Sequence, residues 1–356
     1  MEWFAMAIAD RSAFYLCLAN GALFYHQMTE GGSYEYSDSD ESAKYFSHCT
    51  SMIAHRLGSG EDAVSEGVIT TVLGFLCHDA SVGKWDRWLI HMDGLHRILQ
   101  LRRGFSGLSD HTHMFAFWFD VTGCAIHDAM PRFAIPPGLP QASVLACEVS
   151  PALASILLEL TKTTTPQLLQ ACRALEQTAL VIAYINKNGH KSQFWEGGID
   201  TTRLLGPAAH HALSIPRMTA NTSPYGCTGA GVLCEMVRLS LLILIAGLKR
   251  AFSLIAGEMA AFQQRFETLL PLVAEAIEVS PELVLWSMVV VACSHARPRH
   301  RPLIAAIRDM MTRLNVNTAR KATDVVKSII WADVLLTTEA EDLILEIEST
   351  SHTSGT

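Results

Sequence analysis

Charge is scarce in this chain: 17% of its 356 residues are Asp, Glu, Lys or Arg, against about 25% in an ordinary soluble protein. With 49% apolar residues, an unusually large share must lie in an interior or an interface. The nine cysteines include no C-x-x-C pair, which removes the usual zinc-binding and thiol-redox spacings and leaves them as reduced, core-type residues of an intracellular protein. Also missing are G-x-G-x-x-G, a Walker-type loop, G-x-S-x-G and H-E-x-x-H, so none of the familiar nucleotide, hydrolase or metalloprotease signatures applies. No stretch alternates with period two long enough for a sheet, and no repeat of 20 to 50 residues appears. The most apolar run, LSLLILIAGL at 239–248, is about half the length a membrane span needs, so it reads as a buried helix. The opening MEWFAMAIADRSAFYLC lacks the basic start and cleavage site of a signal peptide, and export is not expected. A net charge of -8 argues against whole-surface attraction to DNA or an anionic membrane.

What is present is helical periodicity. In WDRWLIHMDGLHRILQLRRG, residues 85–104, Trp85, Trp88, Leu89, Met92, Leu95 and Leu99 recur every three or four positions and form one apolar stripe. Asp86, Arg87, Asp93, Arg97 and Gln100 fall elsewhere around the cylinder. That mixed-sign face suits packing better than phosphate binding. Arg102, Arg103 and Gly104 end the segment.

Helices are expected at 3–28 with a break near Ala9 and Asp10, then at 42–57, 63–79, 84–103 and 112–129. The polar GGSYEYSDSDES at 31–42 reads as a solvated loop ending in a cap. MPRFAIPPGLP at 130–140 cannot continue a helix and marks a candidate sub-boundary spanning 130–165. A further helix is expected at 165–186, with Thr165 as cap and Pro166 first. Residues 187–230, rich in Gly, Pro, Thr, Asn and His, read as loop. Helices resume at 231–255, 259–278, from Ser280 onward, 302–314 and 318–337. Residues 341–356 are expected to form a disordered tail. The fold class is all-α, an irregular multi-helix array over residues 1–340.

Fifteen histidines call for a chemical reading. His111-Thr112-His113 lacks a partnering cysteine or carboxylate at zinc spacing. Cys77, His78 and Asp79 are adjacent in sequence, but consecutive helical residues point about 100° apart and cannot form a triad among themselves. His127 with Asp128 fails likewise, and His210 with His211 reads as solvent-exposed loop. RPRHRP at 297–302 is a local basic cluster suited to a polyanion contact, an import signal or a solvated connection. Neither a cofactor nor a metal is expected.

In order along the chain, several segments resemble the fungal-specific transcription factor domain, the regulatory region found after the zinc-cluster DNA-binding module in many fungal regulators. They are WFAMAIADRSAFYLCLANGALFYHQ, ESAKYFSHCTSMIAHRL, GVITTVLGFLCHDASVGKWDRWLIHMDGLHRILQLRRG, AMPRFAIPP, CEMVRLSLLILIAGL, PELVLWSMVVVACSHARPRHRPLIAAI and VVKSIIWADVLL. The resemblance implies an all-helical regulatory module in a nuclear regulator of nutrient use or secondary-metabolite genes, and it carries over no catalytic residue. Two departures stand out: the zinc cluster with its C-x-x-C is absent, and Arg103 replaces the glycine that usually precedes Gly104.

The expected function is therefore transcription regulation without direct DNA binding. It would work through a protein partner, either a DNA-binding regulator or a second copy, and through a small-molecule effector, in the nucleus or alternatively the cytoplasm. The candidate ligand or partner surface comprises His91, Arg97, Arg102, Arg103, Arg297, Arg299 and Arg301. The alternative is a helical scaffold repurposed as a biosynthetic isomerase or cyclase, for which burial would tune histidine pKa values.

Overall fold

The computed structural model describes residues 2–60, 62–139, 147–162, 165–196, 198–218, 228–295 and 301–349. Among them lie sixteen α-helices and no strand, so the chain is an all-α array. It divides into two compact units, Met1–Gly123 with Arg132–Pro136, and Cys124–Pro131 with Pro137–Thr356. The chain crosses between the units after Gly123 and again at Pro131 and Pro136, the last two within the proline-rich passage.

The first unit contains α1 (Glu2–Ile8), α2 (Arg11–Thr29), α3 (Asp40–Leu57), α4 (Glu66–Ser81), α5 (Trp85–Arg102) and most of α6 (Asp110–Ile126). Asp10 makes the break between α1 and α2: its carboxylate accepts from the backbone N–H of Ser12 and Ala13, and Arg56 binds it at 2.7 Å. An anion at a helix start is favoured by the dipole. Ser39 caps α3 through the N–H of Ser42, as the serine-rich segment foretold. That segment is not fully solvated, however. Tyr36 forms a short 3-10 turn and is buried, stacked on Phe46 with ring centroids 4.0 Å apart.

The tryptophan stripe of α5 faces the core of this unit. Trp88, Met92, Leu95 and Leu99 are buried beside Leu23, Leu73, Leu76 and Phe119, while Trp85 and Leu89 pack half-buried against them. Gly123 on α6 makes room for the indole, because a Cβ there would fall 1.9 Å from the Trp88 ring. The helix ends in a Schellman turn: Gly104 N–H reaches Leu99 O at 2.9 Å and Arg103 N–H reaches Gln100 O at 3.1 Å. Arg103 therefore adopts the left-handed conformation with φ 63°. Where glycine would be free, an L-residue pays about 1 kcal/mol.

The second unit contains α7 (Pro151–Lys162), α8 (Pro166–Asn188), α9 (Gly198–Ser214), α10 (Gly229–Ala251), α11 (Met259–Glu267), α12 (Val273–Ile277), α13 (Pro281–Ser294), α14 (Arg301–Arg313), α15 (Ala319–Lys327) and α16 (Asp333–Ser349). Every residue from Val232 to Ala246 and from Leu283 to Cys293 is buried, which makes α10 and α13 the inner helices of the unit. By length and composition α10 is the one helix among the described residues that could cross a membrane, yet 89% of its most apolar window is covered by the protein.

Several sequence expectations change here. Residues 198–214 form α9 despite Pro207 and the histidine pair, because Leu204, Leu205, Ala208, Ala209, Ala212 and Leu213 bury one face. His210 and His211 accordingly sit half-buried on a helix, not in a solvated loop. Helix α7 occupies part of the expected boundary and buries Leu153 and Leu160. The segment 259–278 is broken at Pro271, and 318–337 is broken between α15 and α16, where Trp286 Nε1 donates to Ile330 O at 2.9 Å. Residues 341–349, expected as part of a disordered tail, instead continue α16 with Leu343, Ile344 and Ile347 buried; residues 350–356 lie outside the described residues. Thr165 and Ser280 occupy N-cap positions, but neither side chain makes the capping bond.

Candidate functional site

A cavity of about 630 Å³ opens within the first unit between α3, α4 and α5. Each helix offers one face to it. From α3 come Phe46, Thr50, Ile53, Ala54 and Leu57; from α4, Val72, Phe75 and Asp79; from α5, Arg87, Ile90, His91, Gly94, Arg97, Ile98 and Leu101. These spacings of three, four and seven are those of residues stacked along one side of a helix. Tyr36 and Ala63, from the two short 3-10 turns, complete the lining. Helix α5 thus has two apolar faces, one closed by Trp88 and its neighbours, the other bordering open volume.

One polar knot interrupts the apolar wall. Asp79 is buried, and its Oδ1 accepts from Arg87 Nε at 2.8 Å and Nη2 at 2.6 Å, while His91 Nδ1 lies 2.8 Å from Oδ2. A carboxylate only accepts, so His91 Nδ1 carries the proton. The remaining arm of Arg87 reaches Glu35 at 3.2 Å, and Lys84 joins the same carboxylate at 3.2 Å. Burial opposes the charge on Arg87, but the Asp79 hydrogen bonds and the nearby carboxylates outweigh it and hold its pKa above the ordinary value. The His91 ring stacks on Phe75 with centroids 5.0 Å apart. Tyr36 stacks on Phe46 and on His78, and burial raises the Tyr36 pKa, keeping the phenol neutral. Burial likewise lowers the pKa of His78.

The sequence-derived surface residues fall in different places. His91 and Arg97 line the cavity. Arg102 donates to Val64 O and Ser106 O, both at 3.0 Å, and so fastens the adjoining turns. Arg103 shapes the end of α5. Arg301 is exposed at the start of α14 in the other unit, and Arg297 and Arg299 lie outside the described residues. Asp79, Arg87 and Tyr36 escaped sequence reasoning. A carboxylate at Asp79, on the stripe that also carries Val72 and Leu76, was the signal, since a charge on an apolar face requires a partner.

A second polar cluster lies inside the second unit. Arg238 and Glu235, fully buried on α10, pair at 2.8 Å, and Arg238 also binds Asp128 at 2.6 Å. Arg217 and Arg265 converge on the same Asp128 carboxylate. Burial opposes ionisation of Asp128, but the Arg238 hydrogen bonds and the surrounding guanidinium charges prevail and lower its pKa. Close by in sequence, His127 and Asp128 gave no hint of this role.

Besides Asp79, the neighbour of His91 among the described residues is an aromatic ring, and no hydroxyl or thiol is hydrogen-bonded to it. The eight described cysteines are free, and burial pushes Cys49 and Cys234 up to about 12. No three metal-ligating side chains converge among the described residues.

Against known proteins, the sequence pattern described as the fungal specific transcription factor domain matches residues 3–333. No curated protein and no solved structure matches the chain significantly.

Proposed function

The chain belongs to the fungal-specific transcription factor domain family, and on that premise we propose that it is a regulatory module that acts on transcription through a protein partner and responds to a small effector. The observation that carries this reading is the two-sided α5. Its tryptophan face is committed to the core and its other face lines a cavity of about 630 Å³, which lies within the usual range of small-molecule sites.

DNA contact is assigned to the partner, a DNA-binding regulator or a second copy of the chain. Two features of this chain support that division of labour: a net charge of -8 and the mixed charges around α5. The setting is the nucleus, and the target genes serve fungal metabolism or a secondary-metabolite cluster. An effector seated between α3, α4 and α5 would favour whichever packing of those helices it binds better and so shift the population presented to the partner.

The test is a deletion strain in which transcripts and metabolites are measured together. Loss of the transcripts supports regulation, whereas intact transcripts with one accumulated intermediate would mean a catalyst. Purified chain that captures one operator sequence tightly and selectively by itself would overturn the assignment of DNA contact to the partner.

A further inference from the structure

We infer that the cavity between α3, α4 and α5 takes a small amphipathic acid, its apolar body against the helix walls and its carboxylate on Arg97. Charge arithmetic comes first. Asp79 is satisfied by Arg87 and His91, and Glu35 by Arg87 and Lys84. Arg97, exposed at the open edge of the cavity, has neither an ion pair nor a hydrogen bond among the described residues. The groups that line or brace the cavity therefore leave one cation over, in a protein whose net charge is -8. A guanidinium with free N–H groups recognises a carboxylate by its planar fork.

Shape supplies the second argument. Gly94 lies in the interior of α5, where glycine destabilises a helix relative to alanine, yet a Cβ there would meet nothing within 4 Å. Packing does not require this glycine. Its absence of a side chain widens the cavity and bares the α5 backbone to whatever enters, one turn from Arg97. At the rim, Ile90 is 69% and Leu101 60% exposed, apolar surface that a bound apolar body would cover.

This assignment rests on the regulatory reading for its biological consequence only; binding is tested on the purified chain with 1-pyrenebutyrate and its neutral analogue 1-pyrenebutanol. The acid is expected to bind saturably at one site and roughly ten-fold tighter than the alcohol, as a charge-assisted contact would give. Arg97→Gln should weaken the acid by roughly ten-fold and leave the alcohol unchanged. Gly94→Phe should abolish both while the melting curve shows a folded chain.

Equal affinities for acid and alcohol, or an Arg97→Gln chain that binds the acid normally, would overturn the anion assignment. Absence of saturable binding would overturn the site, as would a concentration-dependent dimer that excludes the probe and dissociates in Gly94→Phe. Normal target transcripts in a Gly94→Phe strain, with probe binding as expected, would sink the regulatory reading and spare the site. Probe failure alongside transcript loss on deletion would do the reverse.

Discussion

Helices α5 and α10 bury their apolar side chains to opposite ends. In α10 nearly the whole circumference is enclosed, and three of its four charges, Glu235, Arg238 and Lys249, are buried with it and paired, with only Arg250 exposed. In α5 only one face is enclosed; the other leaves Ile90 and Leu101 in contact with solvent beside an open cavity. Both helices come from a chain with few charges, yet α5 borders room between helices where α10 ties its polar groups into internal cross-links. Low charge content therefore predicts burial without saying whether the buried side faces protein or a vacant volume.

The contrast can be broken from either side. Arg238→Met removes the fully buried guanidinium shared by Glu235 and Asp128, which keep Arg265 and, for Asp128, Arg217. The second unit should lose up to about 3–5 kcal/mol, the usual cost of breaking a buried pair; urea denaturation measures it, and an unshifted midpoint would mean the cluster is not needed for stability. On the other side, Trp88→Ala should cost a comparable 3–5 kcal/mol by truncating a core indole, read as faster hydrogen exchange in α4 and α5. An unchanged melting curve would remove the stripe from the core.

Acid separates the units more gently. His78 is buried and its pKa is lowered from 6.5, so below that pH the unfolded chain takes up a proton that the folded chain refuses. The stability tied to His78 is thus complete above about pH 6.5 and declines as pH falls toward the folded-state value. Relative to wild type, His78→Phe should flatten that slope in pH-dependent denaturation. For Asp128 the pKa is lowered from 3.8, so its share persists until pH falls below about 4. The smallest effects are gains. Arg103→Gly should add about 1 kcal/mol by relieving the left-handed residue, and Gly94→Ala about 0.5–1 kcal/mol by stiffening α5. A loss of stability at Gly94→Ala would show that the cavity wall cannot accept even a methyl group.

Much of this architecture was legible in the residues. The spacing of Trp88, Met92, Leu95 and Leu99 gives both the helix and its buried side, and Asp10 and Ser39 mark helix starts because their side chains satisfy exposed N–H groups. Where local chemistry and tertiary burial disagreed, the sequence misled. Glycine and Pro207 argued for a loop at 198–214, but a stripe of small apolar residues outweighed them once there was a core to enter. Pro271 ended a helix that periodicity alone would have continued. For the candidate site, His91 and Arg97 were visible as polar residues on an apolar helix. Their cavity was not, since it depends on how far α3 stands from α5, and helical periodicity within one segment carries no such distance. The Asp128 cluster was hidden for the same reason, its members being scattered along the chain.

Gly123 and Trp88 share one volume: what the first omits, the second fills. Substitutions at these two positions should therefore be interdependent in inheritance, so that a homologue bearing any side chain where Gly123 stands would need a smaller residue in place of the indole. Swapping either position alone between two such homologues should harm both proteins, and exchanging the pair together should restore them.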